Sequence, residues 1–154
     1  MLQPRCHSLF LPSEEATDAL GRLLAGQLVP GDTVLLTGPI GAGKSQLSRA
    51  IIRERLGRME DVPSPTFTLV QTYEYPAGEI WHADLYRLSH PDEVLELGLE
   101  DAFATAICLV EWPERLGRHA PTDTIDLALT REGEGRRALI SFAGRPGLAE
   151  ALDA

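Results

Sequence analysis

Hydrophobic and polar positions along this chain switch between two periods, and each switch marks a new element. Ala16, Leu20, Leu23, Leu24 and Leu28 recur at the spacing of one helix face. Ser13 stands before them as an N-cap, with Glu14 and Glu15 where acids complement a helix N-terminus. Just upstream, His7 to Leu11 reads as an edge strand. Thr33-Val34-Leu35-Leu36-Thr37, opened by Pro30-Gly31-Asp32, is a short β-branched and apolar run that reads as a buried strand. Leu47, Ala50, Ile51 and Leu56 return to a helical pattern, in a helix that starts near Gln46 and ends near Gly57.

Asp61 to Phe67 is a proline-punctuated loop. Thr68 to Tyr75 and Glu79 to Asp84 flank the turn Pro76-Ala77-Gly78 and predict a hairpin. Pro91-Asp92-Glu93 opens a short helix that Gly98 ends. Ala106 to Val110 is a buried strand by its length and branching. Ile125 to Thr130 and Ala138 to Phe142 form a second hairpin around Glu132-Gly133-Glu134-Gly135. There is no internal repeat, and 154 residues suit a single domain over 1–154. Strands mixed with helices throughout predict an α/β fold: a mixed sheet with a parallel core, antiparallel hairpin additions and flanking helices.

Between the first buried strand and the next helix lies Gly38-Pro39-Ile40-Gly41-Ala42-Gly43-Lys44-Ser45, a full match to G-x-x-x-x-G-K-[ST]. Lys44 is the only lysine of the chain. Glycines in such a loop let successive backbone N–H groups aim at phosphate oxygens. The lysine brings an ammonium to the β- and γ-phosphates, and the Ser45 hydroxyl is a Mg²⁺ ligand. Strand, loop and helix in that order are the context the motif requires, and the helix N-terminus favours an anion. Gly38, Ile40, Gly41, Ala42, Gly43, Lys44 and Ser45 are therefore the candidate contacts to ATP or ADP.

A nucleotide hydrolase also needs carboxylates at strand ends, to hold Mg²⁺ and orient water. Glu111 ends Ile107-Cys108-Leu109-Val110, and Asp84 ends Ile80-Trp81-His82-Ala83. With Ser45 they are the candidate metal ligands. His82 shares a strand face with Asp84, and without a supporting His or Cys cluster it reads as a packing or supporting histidine. Trp112 follows Glu111, as core packing or as a gate to the pocket. Thr66 and Thr68 sit in the proline-restrained loop, where a hydroxyl can contact Mg²⁺ or the γ-phosphate; a plain connecting loop fits nearly as well.

Charge and cysteine content narrow the partners. Net charge is −9, which opposes broad autonomous binding to nucleic acid. Arg49 and Arg53, one turn apart, form either a solvated helix face or a docking face. Cys6 and Cys108 are too few for a disulfide framework, and no stretch is apolar enough to span a membrane. The N-terminus has no signal-peptide pattern, so a cytoplasmic location is expected.

Gly41-Ala42-Gly43-Lys44-Ser45, then Ser64-Pro65-Thr66-Phe67-Thr68-Leu69-Val70, then His82-Ala83-Asp84-Leu85-Tyr86-Arg87-Leu88, then Val110-Glu111-Trp112-Pro113, in this order and spacing, resemble the TsaE (YjeE) family. The match runs from about Ser13 to Phe142. The resemblance implies a P-loop NTPase-like fold and a small bacterial ATPase that works with TsaB and TsaD. Together they make threonylcarbamoyladenosine beside the anticodon of tRNA, with TsaD performing the transfer. Hydrolysis of ATP to ADP and phosphate, slow in the subunit alone, resets the complex, and tRNA is met only through the partners. On this basis Lys44 and Ser45 bind phosphate and magnesium, and Glu111 is a second Mg²⁺ ligand. Asp84 is the catalytically important acid, Thr66 belongs to a switch-like loop, and Trp112 is a mobile aromatic. Glu14, Thr17, Gly135 and Arg136 are the candidates near the base. Many family members carry an acid where this chain has Pro39, a residue with no N–H to offer. The residues alone also admit a small-molecule kinase with Arg115 and Arg118 on a lid, or a nucleotide switch with negligible turnover.

Overall fold

The structure, a computed structural model, describes residues 5–57, 62 and 69–153. The expected loop over Asp61 to Phe67, apart from Val62, lies outside the described residues, as do Thr66 and Thr68. The chain forms β1 (Arg5–Leu11), α1 (Glu14–Gln27), β2 (Thr33–Thr37), α2 (Lys44–Leu56), β3 (Val70–Tyr75), β4 (Gly78–Asp84), α3 (Glu93–Leu97), α4 (Leu99–Thr105) and β5 (Ile107–Glu111). A 3₁₀ segment (Pro113–His119), β6 (Ile125–Glu132), β7 (Gly135–Phe142) and α5 (Pro146–Asp153) complete it.

One seven-stranded sheet runs in the order β1-β7-β6-β2-β5-β4-β3. Strands β6, β2, β5 and β4 are mutually parallel and form its middle. β7 and β1 extend one edge antiparallel, and β3 closes the other in a hairpin with β4. The expected mixed sheet with a parallel core is thus present. Its late hairpin is tighter than the Glu132-to-Gly135 turn predicts, because both strands run on until only Gly133 and Glu134 separate them.

Strand parity divides the molecule into two packed faces. Val34, Leu36, Ile80, Ile107 and Leu109 point to one core, which holds Leu20 and Leu24 of α1, Leu47, Ile51 and Ile52 of α2, and Leu148 and Leu152 of α5. Ala83 and Val110, one residue out of phase, join Val94, Leu99 and Leu116 in a second core on the opposite face. Asp84 keeps the parity of Ile80, and Glu111 that of Ile107 and Leu109. Both acids therefore end their strands on the face that packs α1 and α2.

Ser13 caps α1 by accepting from the Ala16 N–H at 3.2 Å. α2 ends at Gly57 in the left-handed region, whose N–H returns to Arg53 and Glu54 carbonyls. Three segments lack a clear signal in the sequence. α4 and the 3₁₀ segment are short, and α5 has its apolar stripe in only eight residues. Cys108 is a buried free thiol, its pKa pushed up to about 12 chiefly by burial. Among the described residues no helix is long and apolar enough to cross a membrane.

Candidate functional site

The C-terminal ends of the parallel strands open onto the N-terminus of α2. Asp84 and Glu111 are register partners on adjacent strands β4 and β5, and Leu36 of β2 pairs with Glu111 on its other side. The chain leaves β2 through Thr37 into the loop at Gly38 to Gly43, so the loop is delivered beside both acids. This is the crevice where open parallel sheets take ligands.

Two glycines are required by the local geometry. Gly38 has φ 140°, and a Cβ there would stand 2.2 Å from the Leu129 carbonyl oxygen. Gly43, the N-cap of α2, has φ 105°, and a Cβ would fall 2.6 Å from a guanidinium nitrogen of Arg136. With glycine as N-cap, no side chain caps α2. The N–H groups of its first turn are left without helical acceptors and concentrate positive potential at the loop.

Lys44 is almost fully buried. Its Nζ donates to the carbonyls of Gly38 and of Pro39 (3.3 Å for the latter) and sits 3.9 Å from the centre of the Trp112 ring. Burial lowers its pKa, against the opposing pull of Glu111, Asp84 and Glu114. Ser45 Oγ lies 3.0 Å and 3.1 Å from the two carboxylate oxygens of Glu111 and donates its proton into that pair. Glu111 is 3% exposed and Asp84 6%. Asp84 Oδ1 accepts from the Tyr86 N–H at 3.1 Å. His82, with no exposed surface, places Nε2 2.7 Å from Glu111 Oε2. Trp112 turns the chain out of β5 with φ 59°, an uncommon conformation for a large side chain, and its ring tilts against Tyr86 at 4.9 Å.

Lys44, Ser45, Asp84, Glu111 and Trp112 face a cavity of about 500 Å³, which His82 and Gly38 do not line. Loop residues 39–43, Lys44, Ser45, Asp84, Glu111, Trp112 and Arg136 line it, together with Gln46, Arg49, Tyr86 and Arg87. Gln46, Tyr86 and Arg87 were not singled out as contacts in the sequence. Their signal was adjacency: Gln46 follows Ser45 in the first turn of α2, and Tyr86-Arg87 follow Asp84.

The residues expected near a base are distributed differently. Arg136 lines the cavity and donates to Thr17 Oγ1 at 3.0 Å and Gln46 Oε1 at 2.7 Å. Thr17 is fully buried behind it. Gly135 opens β7, beside the Leu11 and Pro12 backbone. Glu14 instead lines an adjacent cleft of about 620 Å³ between α1 and α2, shared with Asp18, Arg22, Arg49 and Arg53. Gln46 ties the two spaces together by donating to the Glu14 carbonyl and to Asp18. Arg115 and Arg118 lie in the 3₁₀ segment, on Leu88 and Asp92 respectively, and are not among the residues lining the cavity.

The donor set suits a small hard cation. Ser45, Glu111 and Asp84 offer oxygens, while among the described residues no group of three or more His, Cys, Asp or Glu forms a complete cage. Two carboxylates and a hydroxyl could supply part of the oxygen shell of a cation such as Mg²⁺. The uncapped α2 N-terminus and Lys44 suit the phosphates themselves.

Fold and site together define a P-loop-type α/β protein, and comparison with known proteins agrees. The family model for "Threonylcarbamoyl adenosine biosynthesis protein TsaE" matches residues 11–139. The TsaE protein of Rickettsia bellii is 41% identical over 128 residues, 83% of this chain and 89% of the relative. That of Rickettsia felis is 39% identical over 95% of this chain and 86% of its own length. The Bacillus subtilis protein is 34% identical, over 81% and 78%. The crystal structure of YdiB from Bacillus subtilis superposes with a TM-score of 0.75 at 26% identity, covering 99% of this chain and 96% of that one. The chain belongs to the TsaE family, whose members act in the biosynthesis of threonylcarbamoyladenosine in tRNA.

Proposed function

We propose that this protein is a Mg²⁺-dependent subunit that binds and hydrolyses ATP, acting with TsaB and TsaD in threonylcarbamoyl modification of the adenosine beside the tRNA anticodon. The observation that carries the reading is the Ser45–Glu111 contact at the uncapped N-terminus of α2, with Lys44 alongside. It unites a phosphate-binding loop with a strand-end acid, two features 66 residues apart in sequence.

In this reading the α2 N-terminal N–H groups and Lys44 hold the phosphates. Lys44 exchanges its bonds to the Gly38 and Pro39 carbonyls for phosphate oxygens, and the exchange also releases it from the Trp112 face. Ser45 and Glu111 would hold the cation through oxygen. A bound Mg²⁺ would offset phosphate charge as it builds toward the transition state. Asp84, which accepts from the Tyr86 N–H and lines the cavity beside Glu111, would accept a proton from, and so orient, the attacking water. Glu111 thus takes the metal role and Asp84 the water role. Arg49, Arg87 and Arg136 add positive charge around the cavity.

The kinase reading loses its main support, because Arg115 and Arg118 are engaged in the 3₁₀ segment rather than poised over the cavity. The net charge of −9 suits a subunit that meets tRNA through its partners. The test is phosphate release from ATP, by this protein alone and then with purified TsaB and TsaD. Stimulation by the partners, abolished in Lys44→Ala, is the expected result. Phosphate appearing on an added metabolite instead would return the kinase.

A further inference from the structure

His82 is buried, polar and so far without a task. Its ring has no exposed surface, it lies on β4 two residues before Asp84, and its Nε2 reaches across to Glu111 Oε2 on β5 at 2.7 Å. Its other nitrogen, Nδ1, is buried with no hydrogen-bond partner among the described residues. A buried polar atom without a partner costs stability, so an apolar residue would suit the packing of this position better. A histidine that serves packing alone leaves that cost unexplained.

The contact determines which ring nitrogen donates. A carboxylate oxygen accepts and does not donate, so Nε2 is the donor of this contact. Glu111 Oε2 is then approached by both His82 Nε2 and Ser45 Oγ, while Oε1 is approached by Ser45 Oγ. The two donors approach from different elements, β4 and α2, and fix the carboxylate's rotation as well as its position.

We infer that His82 is a positioning residue for the cation: its Nε2–H holds Oε2 of Glu111 so that Oε1 is presented, with Ser45 Oγ, to Mg²⁺. Metal-binding carboxylates are commonly held in this way by partners that do not touch the metal themselves. The inference rests on the nucleotide and Mg²⁺ reading above and assigns His82 no contact with nucleotide or cation.

Three proteins separate this role from packing: wild type, His82→Leu and His82→Gln. Leucine fills much of the same volume without a donor, whereas the glutamine amide offers an N–H at a similar reach. ADP binding is measured by calorimetry, first in EDTA and then across a Mg²⁺ titration, with thermal melting in parallel. In EDTA all three should bind ADP alike. His82→Leu should need roughly 10- to 100-fold more Mg²⁺ to reach half of its metal-dependent gain, with His82→Gln recovering most of the difference. Equal Mg²⁺ requirements for wild type and His82→Leu overturn the inference. So does a His82→Leu protein that loses metal-free ADP binding along with its melting transition, or a His82→Gln protein no better than leucine. Wild-type protein that binds no ADP in either condition overturns the nucleotide reading itself, and this inference with it.

Discussion

Two clusters of charge lie at opposite ends of the parallel strands, and they are built to different ends. At the start of β2, Asp32 accepts from the Val29 N–H at 2.9 Å and from Arg145 at 3.2 Å. Arg145 also donates to the Asp123 side chain and to the carbonyls of Asp123 and Ala143. Acid and base there are closed on one another, and the cluster ties the entry to α5 against the base of the sheet. At the far end, Lys44 satisfies its ammonium with two carbonyls and an aromatic face while Asp84 and Glu111 stand nearby on the cavity wall. Burial lowers the lysine's pKa, against the opposing pull of Glu111, Asp84 and Glu114. A buried charge that is fully paired serves structure. One held by neutral, exchangeable partners beside a cavity is available to a ligand.

Mutation can break this contrast, and the largest effect is expected at Lys44. Lys44→Ala should lower ATP turnover by about 100-fold or more, in line with the loss of a preorganised charge; phosphate release at the wild-type rate would remove the phosphate-loop assignment. Next come the acids. Asp84→Asn and Glu111→Gln should retain nucleotide binding but each lose on the order of 100-fold in hydrolysis. They should separate in a Mg²⁺ titration, with Glu111→Gln alone needing more metal, and the reverse pattern would exchange their roles. At the opposite end Arg145→Ala should leave nucleotide affinity intact and cost about 2 kcal/mol of stability, because Asp32 keeps only its backbone partner. A nucleotide defect in that variant, with an unchanged denaturation midpoint, would erase the distinction between the two clusters.

The smallest effect lies away from both. His119 bridges Asp92 at 2.8 Å and Glu100 at 2.5 Å, joining the 3₁₀ segment to α3 and α4. Its pKa is raised by the bond to Asp92 and then by Glu100, and the Asp92 carboxyl is lowered by the same bond. A raised histidine contributes fully below its unfolded value near 6.5 and loses that contribution as pH rises through the folded value. The lowered Asp92 contributes above 3.8 and is lost in acid. Melting temperatures of wild type and His119→Ala should therefore differ most between those limits and converge at alkaline pH; a constant gap across the range would show that His119 acts only by packing.

Much of this was legible in the residues. The strand, loop and helix around Lys44 follow from a run of β-branched residues, a glycine-rich motif and an apolar helical face, all local in sequence. Asp84 and Glu111 were readable as strand-end acids because period-2 alternation and run length are also local. α4, the 3₁₀ segment and α5 were not, since seven or eight residues carry too little periodic signal to stand out. The arginines at 115 and 118 were legible as charges but not as engaged ones. Glu14 and Thr17 were legible as members of the first helix turn, but not as residues turned toward a neighbouring cleft or buried behind Arg136.

By itself the sequence determined which residues could do chemistry and where each stood in its own element, because capping, glycine geometry and hydrophobic period act over a few residues. Tertiary structure alone decided which of them meet. Strand order placed β4 and β5 side by side, so that His82 and Ser45 converge on Glu111 from 29 and 66 residues away. Pairing of that kind is set by the packing of whole strands and helices around a common core, and no local pattern encodes it.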